Sequence, residues 1–545
     1  MSNLTPAVEP STFSNIQLED FSHVYVHNVV DGTCEEQVAF SVAITDCKTI
    51  IPVTIPCIEL DKYDFRTVSS LIRFSGNISA SKANRNIVDY IKERLCDKDI
   101  AIQEKYRIDK VGLFKVQDEA VFCLGNEVVT SHNGNAKRLE FDTQDIDSQL
   151  NIDSKMNESD AISAMFTLIC CCRTPGAVIT AQQIIYILRQ AYVDAGSKPC
   201  LCVFLYGETG KKKTTFSSYM TQLYNRADGI KSPVRLNASI PSAISIISEA
   251  RDCVVVLDDL FPADSTEIRR KQEETLSEIV RCIGDGTTPA RMLGKSPKSI
   301  NPLCGVLFTG EYLIGQGSDA ARIIPIEMED INGDHLKFFQ DNPLIVSTFF
   351  RKFIQWAIDN YKEIVDFLAD KLREYRSGNI GGIHHRLQDT LYYLDTSYFL
   401  LLSYCCERGF FSDSEAKTMH KAFLKKVLEI IRCQNQRIGK KIPVADATVD
   451  FWEYIRCSFK DGKISCTDDY MKYHDGVYDA VIYKNYLCIR KEWFEESFPN
   501  IDTSKIAASL YELGVLEKGK TSYSKQISKL NGKRFYFIRI EELNK

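Results

Sequence analysis

Apolar and polar residues alternate in short runs through the first quarter of the chain. VAFSVAITD, TIIPVTIPCIEL, KVGLFKV and EAVFCLGNEVV are rich in Val, Ile and Phe and are bounded by Gly, Asp and Asn, which predicts strands. One helical stretch, about 83–95, interrupts them. The pattern implies an α+β domain over residues 1–150, with residues 1–20 polar enough to be disordered. No catalytic cluster is visible there, so docking or oligomerisation is its expected role.

Residues 141–160 are acidic and polar and read as a linker. Helices are expected at 160–172 and 180–195, after which strands alternate with helices: LCVFLYG, VRLNAS, CVVVLDD and CGVLFTG. Most of these strands are continuously apolar, as in a parallel sheet covered on both faces. Long helices are expected over 343–376 and 383–406. A short helix, Thr503 to Leu513, then Gly514 and two β-rich runs around a basic turn close the chain. The resulting plan is an α+β domain at 1–150, an α/β core at 151–410, a helical connector at 411–439 and a last domain at 440–545.

At 545 residues the chain exceeds what one core organises. A net charge of -6 and a pI near 5.9 mean that any nucleic-acid binding must use local basic patches. No run of about eighteen apolar residues is present, and the N-terminus MSNLTPAVEPSTFSN lacks a signal-peptide pattern, so no membrane partner is expected. The 19 cysteines are scattered without paired CxxC spacing. Cys170, Cys171 and Cys172, like Cys405 and Cys406, sit in apolar runs and read as small buried hydrophobes. A reducing, cytoplasmic setting fits this usage, and no zinc site is expected from it.

Chemistry concentrates in LCVFLYGETGKKKTTF. An apolar strand runs into Gly207, Glu208, Thr209, Gly210, Lys211, Lys212, Lys213, Thr214 and Thr215, and a helix follows. Glycines let backbone N–H groups curl around a phosphate chain. A lysine then meets the outer phosphates and a hydroxyl meets Mg²⁺, the roles of Lys213 and Thr214. The following helix aims its N-terminal dipole at the phosphates. The strand–loop–helix context separates this P-loop for ATP from a basic surface turn. Lys212 departs from the usual glycine before the lysine. It adds positive charge beside the phosphates at some cost in loop freedom.

Downstream, DCVVVLDD ends a strand on Asp258 and Asp259. Asp258 is expected at the metal, and Asp259 at the attacking water. A third strand, CGVLFTGEYL, ends at Thr309, a candidate to orient that water, with Glu311 nearby. Arg322, in GSDAARIIPIEM, suits the charge that develops on the γ-phosphate of a neighbouring subunit. Between the second and third strands, TTPARMLGKSPKSINP carries Lys295 and Lys298 and fits either phosphate contact or a solvated hairpin. The terminal hairpin carries Lys525, Lys529, Lys533 and Arg534, a basic wing after a short helix. Such a wing binds DNA in some proteins and docks proteins in others.

The ordered set of P-loop, VVVLDD, strand tip and DAARIIPIE resembles an AAA+ ATPase. IHHRLQDTLYYLDTSYFLLL is similar to the second sensor helix of MCM-type helicases, which implies Arg386 near the bound nucleotide. KVGLFKVQDEAVFCLGNEVV resembles the domain before the P-loop in Cch-type self-loading helicases of staphylococcal cassette chromosomes. From about residue 35 onward, the resemblance implies an AAA+ P-loop core with an N-terminal α+β domain and a C-terminal winged helix. It implies an ATP- and Mg²⁺-dependent hexameric DNA helicase of a mobile element, with single-stranded DNA in the pore, duplex at the winged helix and element-encoded replication partners. The alternatives are a regulatory or defence ATPase that switches assembly state, and a scaffold with a nucleotide-holding loop.

Overall fold

A computed structural model describes residues 16–44, 49–60, 62, 80–143, 146–224, 234–235, 240–260, 266–288, 291–293, 296–298, 301–311, 313, 319–331, 333–377, 383–439 and, with short gaps, 452–493 and 503–543. Two units separate: Met1–Leu313 with Arg322–Ile430, and Ile314–Ala321 with Ile431–Lys545.

In the first unit, strands β1 (Ile16–Asn28), β2 (Cys34–Ile44) and β3 (Thr49–Pro56) run antiparallel, and a single helical turn α1 (Cys57–Leu60) follows β3. Residues 16–20, expected to be disordered, therefore open a strand. Helix α2 (Ala80–Leu95) places Ile87, Val88 and Ile91 against Phe21, Val38, Phe40, Val42, Val53 and Ile55. These are alternate residues on each strand, the consequence of a period of two. Strands β4 (Ala101–Arg107) and β8 (Glu140–Asp142) extend the sheet in the order β3-β2-β1-β4-β8. A second small sheet is made by β5 (Gly112–Val116), β6 (Glu119–Cys123) and β7 (Val128–Val129). Its first turn uses two left-handed residues, Gln117 at φ 48° and Asp118 at φ 64°, as a two-residue hairpin demands.

The predicted linker is docked rather than free where it is described. Leu150 is 2% exposed, and its N–H donates to Leu124 O at 2.9 Å. The Asp153 N–H donates to Thr348 Oγ1 at 2.9 Å. Helices α3 (Glu158–Cys171) and α4 (Arg173–Ile187) follow, and α4 is buried from Pro175 to Ile187. Its Gln182 donates to Val306 O at 2.9 Å, which pins the helix to the sheet described next.

That sheet contains β9 (Cys202–Tyr206), β10 (Val234–Arg235), β11 (Arg251–Leu260), β14 (Leu303–Gly310) and β15 (Ile323–Glu327), all parallel, in the order β10-β11-β14-β9-β15. Helix α5 (Lys213–Met220) follows β9, and α6 (Thr266–Asp285) follows β11. Between α6 and β14 an antiparallel hairpin, β12 (Arg291–Leu293) with β13 (Ser296–Lys298), stands where the basic loop was expected. The chain enters at β9, leaves to the β10 edge, returns through β11 and β14, and places β15 on the far side of β9. Open parallel sheets bind ligands outside strand C-termini at such a reversal.

The long helical reading of 343–376 divides into α7 (Ile345–Asp359) and α8 (Tyr361–Ser377), with Asn360 between them donating its side-chain amide to Trp356 O. Helices α9 (His385–Glu407) and α10 (Asp413–Gly439) follow.

In the second unit β16 (Cys466–Thr467), β17 (Ala480–Tyr483), β18 (Tyr486–Arg490), β19 (Ser524–Gln526) and β20 (Arg534–Arg539) form one sheet, ordered β16-β17-β18-β20-β19. Helix α11 (Thr503–Glu512) buries Ile506, Ala507 and Leu510 in a core with Leu487, Ile489, Tyr536 and Ile538. The expected helix and basic hairpin are both present, and the hairpin is continuous with β17–β18.

Candidate nucleotide site

The loop after β9 is shaped by three left-handed or extended backbones. Gly207 has φ 157°, Gly210 has φ 87°, and Lys212 has φ 59°. At Gly210 the left-handed conformation is free of Cβ strain, whereas at Lys212 it is not. The departure at Lys212 therefore has a structural cost: the lysine adopts the backbone for which glycine is the low-energy choice. Gly207 N–H donates to Gly310 O at 3.1 Å, which ties the loop to the tip of β14.

A cavity of about 360 Å³ opens above the strand tips. Its walls are Thr209, Gly210, Lys212, Lys213, Thr214 and Thr215 from the loop and α5, and Asp258, Thr309 and Glu311 from the strands. Lys213 begins α5 and donates to Gly207 O at 2.7 Å and Glu208 O at 2.8 Å. Burial pulls its ammonium below the usual range, and the carboxylates of Glu311 and Asp258 oppose that shift. Thr214 Oγ1 donates to Asp258 Oδ1 at 2.7 Å, and Thr309 Oγ1 donates to the same oxygen. Thr309 is 1% exposed. Thr209 donates to Glu311, whose N–H is fixed by Leu260 O at 2.9 Å. Lys211 turns away to Asp330, 3.5 Å from its carboxylate.

The cluster brings Lys213, Thr214, Asp258 and Thr309 together from three elements far apart in sequence. A hydroxyl beside a carboxylate is an oxygen donor pair of the kind that holds Mg²⁺ with its retained waters, so the residues present fit the ion. Asp259 lies in β11, but its side chain is outside the described residues.

Arg322 and Arg386 stand elsewhere. Ile323 pairs with Cys202 at the start of β9, so Arg322 belongs to the end of the sheet opposite the loop. Its Nη2 lies 2.6 Å from Asp285 Oδ1, and Arg386 Nη2 lies 3.4 Å from the same oxygen. The two guanidinium groups, Arg322 foremost, hold the Asp285 carboxyl below its usual range. Gly284 makes room for Arg322, because a Cβ there would stand 2.2 Å from its Cδ. Arg386, expected near a bound nucleotide, thus stands with Arg322 and Asp285 rather than beside this chain's own loop. The α9 start packs it beside Arg322 instead. Asp285 carries no local sequence signal and was not anticipated.

The candidate DNA-contact residues divide three ways. Lys295 is outside the described residues. Lys298 ends the β12–β13 hairpin and Lys529 lies in a turn after β19, both with side chains outside the description. Lys525 is half-buried, paired with Glu517 and 5.1 Å from the centre of the Phe537 ring. Arg534 donates to Ser522 and Ser524 while remaining exposed, as is Lys533.

The chain is similar in structure to SCCmec type IV Cch, an active helicase. That match has 14% sequence identity and a TM-score of 0.49, and covers 97% of this chain and 94% of the other. It is the group that the sequence motifs resemble. The JCV helicase is matched at 13% identity and a TM-score of 0.25, over 39% of this chain and 64% of its own. The C-terminal region of NrS-1 is matched at 9% identity and a TM-score of 0.24, over 73% of this chain and 85% of its own. No family model matches the sequence, and no curated protein matches it. Among the described residues, no helix is long and apolar enough to cross a membrane.

Proposed function

We propose that the chain is an ATP-driven DNA motor, a hexameric helicase or translocase that serves the replication of a mobile element in the cytoplasm. The observation that carries the reading is the convergence of Lys213, Thr214, Asp258 and Thr309 on one cavity at the tips of β9, β11 and β14. Lys213 exchanges the carbonyls of Gly207 and Glu208 for the outer phosphate oxygens of ATP, and the loop N–H groups cradle the rest. Mg²⁺, held by Thr214 and Asp258, supplies charge neutralisation at the phosphates. Asp259 takes the proton of the attacking water, and Thr309 orients that water.

What supports a ring is the split of the charges between the two ends of one sheet. The phosphate cradle is at the C-terminal end, and the Arg322–Asp285–Arg386 cluster is at the other. A head-to-tail contact brings the arginine end of one chain towards the next chain's γ-phosphate, and heterologous contacts whose rotation closes form rings. The β12–β13 hairpin, with Lys295 and Lys298, then grips single-stranded DNA in the pore, and the terminal hairpin meets duplex. Element-encoded replication proteins are the expected partners.

ATP hydrolysis measured with and without single-stranded DNA, beside an unwinding assay, tests the reading. The rival is a regulatory or defence ATPase that switches assembly state without unwinding DNA. Nucleotide-dependent oligomerisation without DNA stimulation would select the rival.

A further inference from the structure

The three outermost antiparallel strands of the N-terminal sheet share an interrupted pattern. Along β2 the helix-covered face reads Val42, Phe40, Val38 and then Glu36. Along β3 it reads Val53, Ile55 and then, one step past the strand, Cys57. Along β1 it reads Phe21 and then His23. The period of two sets Glu36 and His23 in line with the residues that α2 covers, and Cys57, the first residue of α1, follows Ile55 at the end of β3. The apolar series thus stops at Glu36 on β2 and at Cys57 past β3, and one step earlier on β1, where His23 stands opposite Val38; an oxygen, a sulfur and a nitrogen donor replace it.

The register brings the donors together. Tyr25 pairs with Glu36, which sets His23 diagonally across from it. Gln37 pairs with Pro56, so Cys57 continues alongside Glu36. His23 Nε2 lies 3.5 Å from Glu36 Oε2, and the ligand atoms of His23, Glu36 and Cys57 all fall within 4.8 Å of one another. The His23 Nε2 atom is buried and makes no hydrogen bond. Its charged neighbour is the Glu36 carboxylate, too far for a good hydrogen bond, and an imidazole nitrogen, a thiol and a carboxylate gathered this way are a donor set that a divalent cation of the zinc type would fit. Glu36 is exposed and leaves an approach from solvent.

We propose that His23, Glu36 and Cys57 form a zinc site that staples β1, β2 and the β3–α1 corner together. Hard cations such as Mg²⁺ and Ca²⁺ are served by oxygen, whereas imidazole, thiolate and carboxylate together suit Zn²⁺. Zinc bonds of about 2.0–2.3 Å at tetrahedral angles set ligand atoms roughly 3.3–3.8 Å apart, so the widest pair closes by about 1 Å on binding. Three protein donors leave the fourth position to water. The Cys57 thiol loses its proton to solvent when the metal binds. The site is independent of the nucleotide reading and is invisible to cysteine spacing, because its ligands are one each of three residue types on β1, β2 and the start of α1.

The test uses the full chain, stripped of metal under reducing conditions and titrated with Co²⁺ and then Zn²⁺. One equivalent of Co²⁺ is expected to give a thiolate-to-cobalt charge-transfer band with the intense visible bands of tetrahedral coordination, and Zn²⁺ is expected to displace it. Cys57→Ser is expected to abolish the charge-transfer band. His23→Ala and the exposed, conservative Glu36→Gln are each expected to weaken Zn²⁺ binding, read by competition with a chelator, by about tenfold or more. Zn²⁺ is also expected to raise the melting temperature of the wild type more than that of Glu36→Gln. The absence of a charge-transfer band in the wild type overturns the site. A band retained in Cys57→Ser assigns the metal to another of the 19 cysteines and overturns it equally.

Discussion

Lys212 stands at φ 59° where the loop's neighbouring turn uses glycine. The left-handed backbone costs a side-chain-bearing residue about 1–2 kcal/mol, and glycine's extra freedom in the unfolded chain returns about 0.5–1. Lys212→Gly is therefore expected to stabilise the nucleotide-free protein by roughly 0.5–1 kcal/mol, seen as a higher denaturation midpoint. A lower midpoint would mean that its side chain contributes more than its backbone costs. At Lys213 the expectation is loss of function. Lys213→Ala removes the ammonium that now rests on Gly207 and Glu208, and phosphate release should fall by at least about a hundredfold. Wild-type turnover in that variant removes the P-loop assignment. Asp259→Asn should separate chemistry from binding, with ATP retained and hydrolysis slowed by about a hundredfold or more. Glu311 lines the same cavity and holds Thr209. If Asp259→Asn keeps its rate while Glu311→Gln loses it, the water-activating acid is Glu311.

At the scale of elements, the sequence was most legible where a functional residue ends its own apolar run. The apolar runs of β11 and β14 close on Asp258 and Thr309, and that of β9 opens directly into the glycine loop that leads to Lys213. Lys213, Asp258 and Thr309 could therefore be placed before their contacts were visible. The arginine cluster had no such signal. Asp285 and Arg386 meet across 101 positions through the packing of α6 and the start of α9, which no local pattern encodes. Docking of the 146–157 segment was hidden for the same reason, since one buried Leu150 among polar residues does not make a period. The cluster yields a prediction at this scale. Gly284→Ala drives a methyl group into Arg322 and should dislodge it from Asp285. Nucleotide binding should persist while hydrolysis drops towards the level of Arg322→Ala. Unchanged hydrolysis would show that Arg322 does not act from this position.

For the whole molecule, the account requires sites shared between chains. Arg322→Ala subunits mixed with Lys213→Ala subunits should recover activity, because some interfaces then pair an intact loop with an intact arginine. Mixed rings without recovery at any ratio would argue for a site complete within one chain. With a net charge of -6, DNA affinity must rest on few cations and should fall steeply with salt. Removing residues from about 440 onward should weaken duplex binding and flatten the salt dependence by about one unit of slope per lost phosphate contact, with basal hydrolysis preserved. Lys525, paired with Glu517, is expected to add less than one unit to that slope.

The central claim, that hydrolysis in the Lys213–Asp258 cavity drives movement on DNA, is tested most directly by steady-state phosphate release with and without single-stranded DNA at low salt. The account predicts that DNA raises the rate in the wild type. It predicts that Lys295→Ala with Lys298→Ala leaves the DNA-free rate in place and removes the increase. A wild-type protein that hydrolyses ATP at one rate regardless of DNA, and shows no DNA affinity with ATP present, would contradict it.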